Sequence, residues 1–403
     1  MKPTRLFLSF LSVAATLFLA AALFVASTAS PLAAQSSKPG KYFFYVGTYT
    51  DDEGKSTKSK GIYAFSYDAA RAQITPLGLV AETTNPSWVA PSPDGRFLYA
   101  VNEVPNYEGP NSGGVSAFSV DKATGKLTFL NEMPTRGADP CYVSVDRSGK
   151  YVLVANYTGG SVAVFPILAD GKLGEATAFV QHTGHGADPK RQEAPHAHSI
   201  DVMPGDRYAM VDDLGLDEVV SYKFDAAKGT LTPNAPPFAK VADGSGPRHF
   251  ALAPSGKFAY VISEIKGTVT VFSANLATGT MHPMQAISTL PKDYSGEIED
   301  AEIKIHPSGK FLYASNRGEG NSIAVYSVDP SKGTLTLVEI TPTQGKTPRS
   351  FEIDPTGTLL FAENQKSDNI VVFKIDAKTG RLTPTGQVLD VGQPVCLKFL
   401  AAQ

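Results

Sequence analysis

A short motif recurs seven times at a nearly constant interval, and this period limits the folds open to the chain more than any other feature. Gly40-Lys41-Tyr42, Gly95-Arg96-Phe97, Gly149-Lys150-Tyr151, Asp206-Arg207-Tyr208, Gly256-Lys257-Phe258, Gly309-Lys310-Phe311 and Gly357-Thr358-Leu359 each open a short apolar run. Successive copies lie 55, 54, 57, 50, 53 and 48 residues apart. A second run follows each copy, as in Thr268-Val269-Thr270-Val271-Phe272 and Ser322-Ile323-Ala324-Val325-Tyr326. A third opens on motifs such as Gly125-Lys126-Leu127-Thr128 and Gly380-Arg381-Leu382-Thr383. Alternating apolar residues give such runs one buried side, which is the signature of strands. Turns as tight as Pro254-Ser255-Gly256 make neighbouring strands antiparallel. Four strands per repeat at this period predict a blade. Seven repeats predict an all-β, seven-bladed propeller.

The two ends of the repeat predict how it closes. Tyr42–Thr48 reads as a second strand with no first strand before it, and residues 393–399 read as a first strand with no second after it. Paired in one blade, they remove two open sheet edges. They make residues 41–400 one closed domain. No helical periodicity follows residue 35. The long insertions, 51–60, 104–113, 181–196 and 289–300, all fall at one end of the strands. Binding residues ride on such loops when a rigid frame holds them.

Aligning the copies places two rings of residues on that face. Ser87, Cys141, His198, Arg248, Ala301, Arg349 and Val395 start the first strands. Thr48, Glu103, Tyr157, Leu214, Glu264, Arg317 and Gln365 end the second. First strands line a propeller's central channel, so the charged members converge on its mouth. Three arginines around one opening favour an anion, because the guanidinium fork matches carboxylate and phosphate. The bland alternative is a set of ion pairs holding blades together. A third ring, Asn102, Asn156, Asp213, Asn316 and Asn364, offers oxygen ligands for calcium, but Asn at a strand end more often satisfies local backbone. His182, His185, His196 and His198 raise zinc as a ligand, but histidine pairs at such spacings are a weak signal without a defined carboxylate or cysteine partner set. Neither a metal nor a cofactor is expected.

Residues 1–34 stand apart. Lys2 and Arg5 precede an apolar run from Leu6 to Val25, and small residues end at Ala33-Ala34. This is the layout of a secretory signal peptide, although the run is also long enough for a membrane anchor. An exported chain, periplasmic or secreted, is expected. A net charge of −3 without a basic stripe excludes nucleic acid as a partner. Cys141 and Cys396 fall on blades separated by another, so both are expected as free thiols in a monomeric protein.

The segment from His182 to Ser199, with Arg191-Gln192 and Pro195-His196-Ala197-His198-Ser199, completes the reading together with Gly246-Pro247-Arg248-His249 and Asn316-Arg317-Gly318. Over nearly all of 41–400 the chain resembles the seven-bladed propeller lactonase family. That family includes the bacterial propeller-type 6-phosphogluconolactonases and the fungal carboxy-cis,cis-muconate lactonising enzymes. The resemblance implies a histidine, two arginines and a glutamate as the catalytic set: His198 (or His196), Arg248, Glu264 and Arg317. His196, Arg349, Glu103, Asn102 and Arg191 are the candidate substrate-binding residues around them. The expected activity is hydrolysis of a sugar lactone or another acidic lactone, with His198 as base and the arginines on the oxyanion. Two other readings stand beside it: a cycloisomerase that closes a lactone from an unsaturated diacid, and a non-catalytic propeller that binds a ligand or envelope partner. The family's phosphorylated sugar lactone is cytosolic, so an exported chain has either another lactone as substrate or has lost the activity.

Overall fold

The computed structural model describes residues 40–403 apart from Glu53; the expected leader lies outside the described residues. Seven four-stranded antiparallel sheets follow one another along the chain. The closing blade runs outward from the axis as Pro394–Ala401, Lys41–Thr48, Gly61–Asp68 and Gln73–Glu82. The innermost strands of blades one to six are Val89–Pro91, Pro140–Val145, Ala197–Val202, Pro247–Leu252, Asp300–Ile305 and Pro348–Ile353. Each touches the next, and the last touches Pro394–Ala401, so the ring is closed. A two-stranded ribbon, Asp51–Asp52 with Lys55–Ser56, stands outside the blades. The single 3₁₀ turn among the described residues is Gln365–Ser367.

Closure works as the two chain ends require. Tyr42 pairs with Ala401 and Gly47 with Cys396, so the first and last strands share one ladder. The second strands are buried on both faces, as in Phe258–Ser263 and Leu359–Asn364, because each is sandwiched between neighbouring blades. Aromatic rings fill these interfaces: Phe44 stacks on Phe65 at 4.8 Å and meets Phe361 of blade six at 5.5 Å. A polar tether repeats beside them. Tyr45, Tyr99 and Tyr313 each donate a hydroxyl to a turn carbonyl of the next blade, at Gly125, Gly171 and Gly380. Each such bond contributes about 1 kcal/mol net and fixes blade register. Cys141 and Cys396 are buried free thiols on the second and closing blades.

Candidate active site at the channel mouth

One local irregularity builds the mouth. In six of the seven blades the innermost strand slips register near its start. The residue skipped by the ladder is Cys141, His198, Arg248 or Arg349 in blades two, three, four and six, and Val395 in the closing blade. In blade five the slip spans Ala301 and Glu302. A β-bulge leaves one residue unpaired and re-aims its side chain. Here it turns the first-ring residues into the channel.

A hydrogen bond common to all seven blades fixes the second ring. The backbone N–H of Tyr49, Glu103, Tyr157, Leu214, Glu264, Arg317 and Gln365 donates to the carbonyl of Gln393, Asn85, Asp139, His196, Gly246, Glu299 and Thr347, respectively. Each acceptor lies two residues before the first-ring residue of its blade. Asn85, Asp139, Gly246, Thr347 and Gln393 have positive φ, so the chain kinks there toward the axis. At Gly246 (φ +67°) an added Cβ would also sit 2.8 Å from the end of the Ile265 side chain, so glycine is favoured here on both counts although other blades make the same kink with Asn, Asp, Thr or Gln. Thr48, aligned with this ring from the sequence, is corrected to Tyr49. Thr48 instead donates to the carbonyl of Gly61 at 2.7 Å, in the position that asparagine holds in other blades.

Glu264 is the hub of the mouth. Its Oε2 accepts from Arg248 Nε at 2.9 Å and from Arg317 Nη2 at 2.7 Å, and its Oε1 accepts from Arg191. Arg248 also donates to the carbonyl of Ala301 at 2.7 Å, and Arg317 lies 3.6 Å from Glu299. Burial opposes ionisation of Glu264, but Arg317, Arg248 and Arg191 overcome it and hold the carboxyl at about 2. It is a permanent anion, and it orients arginines, not the histidine. Arg248 is lowered to about 10, first by burial and then by Arg317 and Arg349. The mouth sets four arginines, Arg191, Arg248, Arg317 and Arg349, against three glutamates, Glu264, Glu299 and Glu103, and so keeps an excess of positive charge.

His198 sits among these cations with its ring edge-to-face against Tyr157 at 5.4 Å and His249 at 5.1 Å. An ordinary imidazole pKa near working pH is the expectation from sequence; the structure corrects it. Burial first, then Arg248, His249 and Arg349, push His198 well below 6.5. It is a neutral base across the physiological range. His196 is nearer the surface, stacked on Tyr157 at 4.7 Å with Nδ1 3.1 Å from that residue's carbonyl. Arg349 lies over the ring of Tyr49 at 5.3 Å, and Tyr49 donates to Glu103 at 2.8 Å. Tyr49 is the mouth residue that sequence alignment missed.

Asn102 does not join the mouth. Its amide donates to Thr83 and to the carbonyl of Thr84, and its oxygen accepts from Ser116. Asn156, Asn316 and Asn364 bond locally in the same way. His182 is likewise apart, held between Asp213 at 2.6 Å and Tyr222 at 2.9 Å. Among the described residues no three His, Cys, Asp or Glu side chains are grouped to hold a metal.

Below the mouth the channel continues as a polar shaft that sequence reasoning also missed. His249 Nδ1 lies 3.2 Å from Glu302. Trp88 stacks on Tyr142 at 4.7 Å and carries Lys398 at 4.6 Å, which pairs with Glu352 at 3.0 Å.

A closed propeller with a neutral imidazole beneath a ring of guanidiniums is a scaffold for acyl chemistry on small anionic or polar substrates. Sequence comparison makes the class specific. The family described as "Lactonase, 7-bladed beta-propeller" matches residues 43–399, and the chain belongs to it. The 6-phosphogluconolactonase of Bacillus subtilis is 38% identical over 360 residues, covering 89% of this chain and 99% of that protein. A 6-phosphogluconolactonase of Formosa agariphila is 34% identical over 86% of this chain and 96% of its own length. The solved structure of the periplasmic gluconolactonase of Pseudomonas aeruginosa superposes with a TM-score of 0.83 at 34% identity, covering 90% of this chain and all of that one.

Proposed function

We propose that this protein is a lactone hydrolase that opens a sugar-acid lactone at the channel mouth, outside the cytoplasm. The carrying observation is the pairing of a buried, neutral His198 with four arginines that outnumber the glutamates around them. The lactonase relatives favour hydrolysis over lactone closure or a purely binding propeller. The leader-like residues 1–34 and the periplasmic relative support an exported enzyme, which would meet unphosphorylated lactones such as gluconolactone.

In this mechanism His198 Nε2 takes a proton from water as its oxygen adds to the lactone carbonyl. The carbonyl oxygen gains a full charge, which Arg248 and Arg317 stabilise in a dry site where such charge is worth most. The ring C–O bond then breaks, and the imidazolium returns its proton to the leaving alkoxide. Neighbouring arginines make that imidazolium a strong acid, which speeds the second half. The product is a hydroxy acid whose carboxylate the arginines hold until release. Arg191 and Tyr157 cover Glu264 from the solvent side, and Arg349 on Tyr49 is placed to bind an anionic substituent. The test is acid release from gluconolactone and 6-phosphogluconolactone at constant pH by the chain from residue 35 onward. Activity abolished in His198→Gln supports the reading; equal rates in variant and wild type refute it.

A further inference from the structure

Beneath His198 lies a thiol whose placement decides which ring nitrogen faces the substrate. Cys141 Sγ is 3.4 Å from the carbonyl oxygen of His198, 3.8 Å from that of Ala197 and 3.7 Å from His198 Nδ1. Both residues are bulged into the channel from adjacent blades, Cys141 from blade two and His198 from blade three. A thiol has one hydrogen and accepts through sulfur lone pairs. Burial raises the Cys141 pKa well above its ordinary value, so the hydrogen stays on sulfur. The shortest contact assigns that hydrogen to the His198 carbonyl. A lone pair then faces Nδ1, the arrangement that favours the imidazole proton on Nδ1. Nε2 is left bare, and no hydrogen-bond partner engages it among the described residues.

We propose that Cys141 is a positioning residue for the hydrolysis, holding His198 as the Nδ1–H tautomer so that Nε2 is the free base. The inference rests on the reading of His198 as the base in so far as it concerns rate; the tautomer itself does not depend on that reading. In many hydrolases a carboxylate fills this place, and losing it costs rate because the wrong tautomer forms. A carboxylate here would add an anion to a site that already binds one through its arginines. A thiol sets the tautomer without adding charge, so the low basicity that burial and the arginines give His198 is kept.

The experiment joins ¹⁵N spectroscopy of histidine-labelled full-length protein with kinetics. His198→Gln assigns the resonance among the seven histidines. Wild type should show the Nδ1–H pattern for His198 at pH 7.5. Cys141→Ala should show the Nε2–H form gaining population, with kcat lowered roughly 10-fold or more and KM little changed. Cys141→Ser keeps a hydroxyl that donates to the carbonyl and accepts from Nδ1, so it should restore both the tautomer and most of the rate. An Nε2–H tautomer in wild type overturns the proposal, as does a Cys141→Ala protein that keeps the Nδ1–H form. A tautomer that responds to Cys141 in a protein inactive on every lactone tried would uphold the positioning and sink the hydrolase reading instead. If Cys141→Ala proves unstable, the Cys141→Ser spectrum alone decides, because loss of the Nδ1–H form there also overturns it.

Discussion

At the scale of single residues, the mouth separates groups that hold charge from one group that stays neutral. Glu264 is fixed as an anion by three arginines, so it has no proton to give or take near neutral pH. His198 is neutral for the opposite reason: buried among cations, it cannot stabilise a proton of its own. The pH–rate profile follows from this. Turnover should stay level from pH 8 down through 6.5 and decline only in more acidic buffer, where His198 becomes protonated. A decline centred on 6.5 would place the base elsewhere. Arg349 makes a separate prediction. It lies on an aromatic ring, whereas Arg248 and Arg317 share a carboxylate. Arg349→Ala should therefore weaken binding of a phosphorylated lactone by about 1.5–3 kcal/mol, the usual worth of a charged hydrogen bond, and leave a neutral lactone nearly unaffected. Equal losses for both substrates, read from KM, would mean that Arg349 shapes the mouth and does not bind the anion.

At the scale of strands and turns, the site depends on a bulge and a kink repeated around the axis. Gly246 tests that dependence. Alanine there must adopt positive φ and press its Cβ against Ile265. The expected cost is about 1–3 kcal/mol of stability. A larger effect on kcat is expected, because Arg248 follows two residues later and Glu264 is pinned to the Gly246 carbonyl. Stability lost with full activity retained would show that the kink does not position the arginine. The same level explains what was legible beforehand. Blades, their number and their closure follow from period-two alternation and from turn residues, which are local signals. His198, Arg248, Glu264 and Arg317 stood out because charge interrupts a small or apolar pattern at aligned positions. Tyr49 was missed because alternation cannot fix register to one residue at a strand end where every residue from Tyr42 to Thr48 is buried. Asn102 was misplaced for a related reason: ring membership gives a residue's height along the channel but not the direction of its side chain. The shaft of Trp88, His249, Glu302 and Lys398 was invisible because its members come from four blades far apart in sequence, and their pairing exists only once the ring closes.

For the whole molecule, closure and the shaft it encloses are the two features that no single blade contains. Removing residues 393–403 takes away the innermost strand that pairs with Tyr42–Gly47. The truncated chain should then expose a sheet edge, aggregate and lose its cooperative melt; a melt like that of the full chain would refute strand closure. Two buried titratable groups, Asp212 on the second strand of blade three and His249 in the shaft, make a quantitative prediction about pH. Burial pushes Asp212 up to about 7, with Ser199 opposing and Asp201 and Asp213 adding to the rise. Burial also holds His249 down to about 4 despite its contact with Glu302. The two act in opposite senses over one window. The unfolded chain protonates His249 below 6.5 while the folded one does not until about 4, so this stability is lost as pH falls from 6.5 to 4. For Asp212 the folded state takes its proton at about 7 and the unfolded state only near 3.8, so this stability is gained as pH falls from 7 to 3.8. Asp212→Asn removes the second effect and leaves the first. The variant should match wild type near pH 4 and exceed it by about 4 kcal/mol at pH 8, where wild type must bury an anion. Its own stability should fall more steeply than wild type between pH 7 and 4, because the loss at His249 is no longer offset. Denaturant unfolding at pH 4, 6 and 8 measures all three quantities. A difference that does not change with pH would mean that water reaches Asp212 inside blade three.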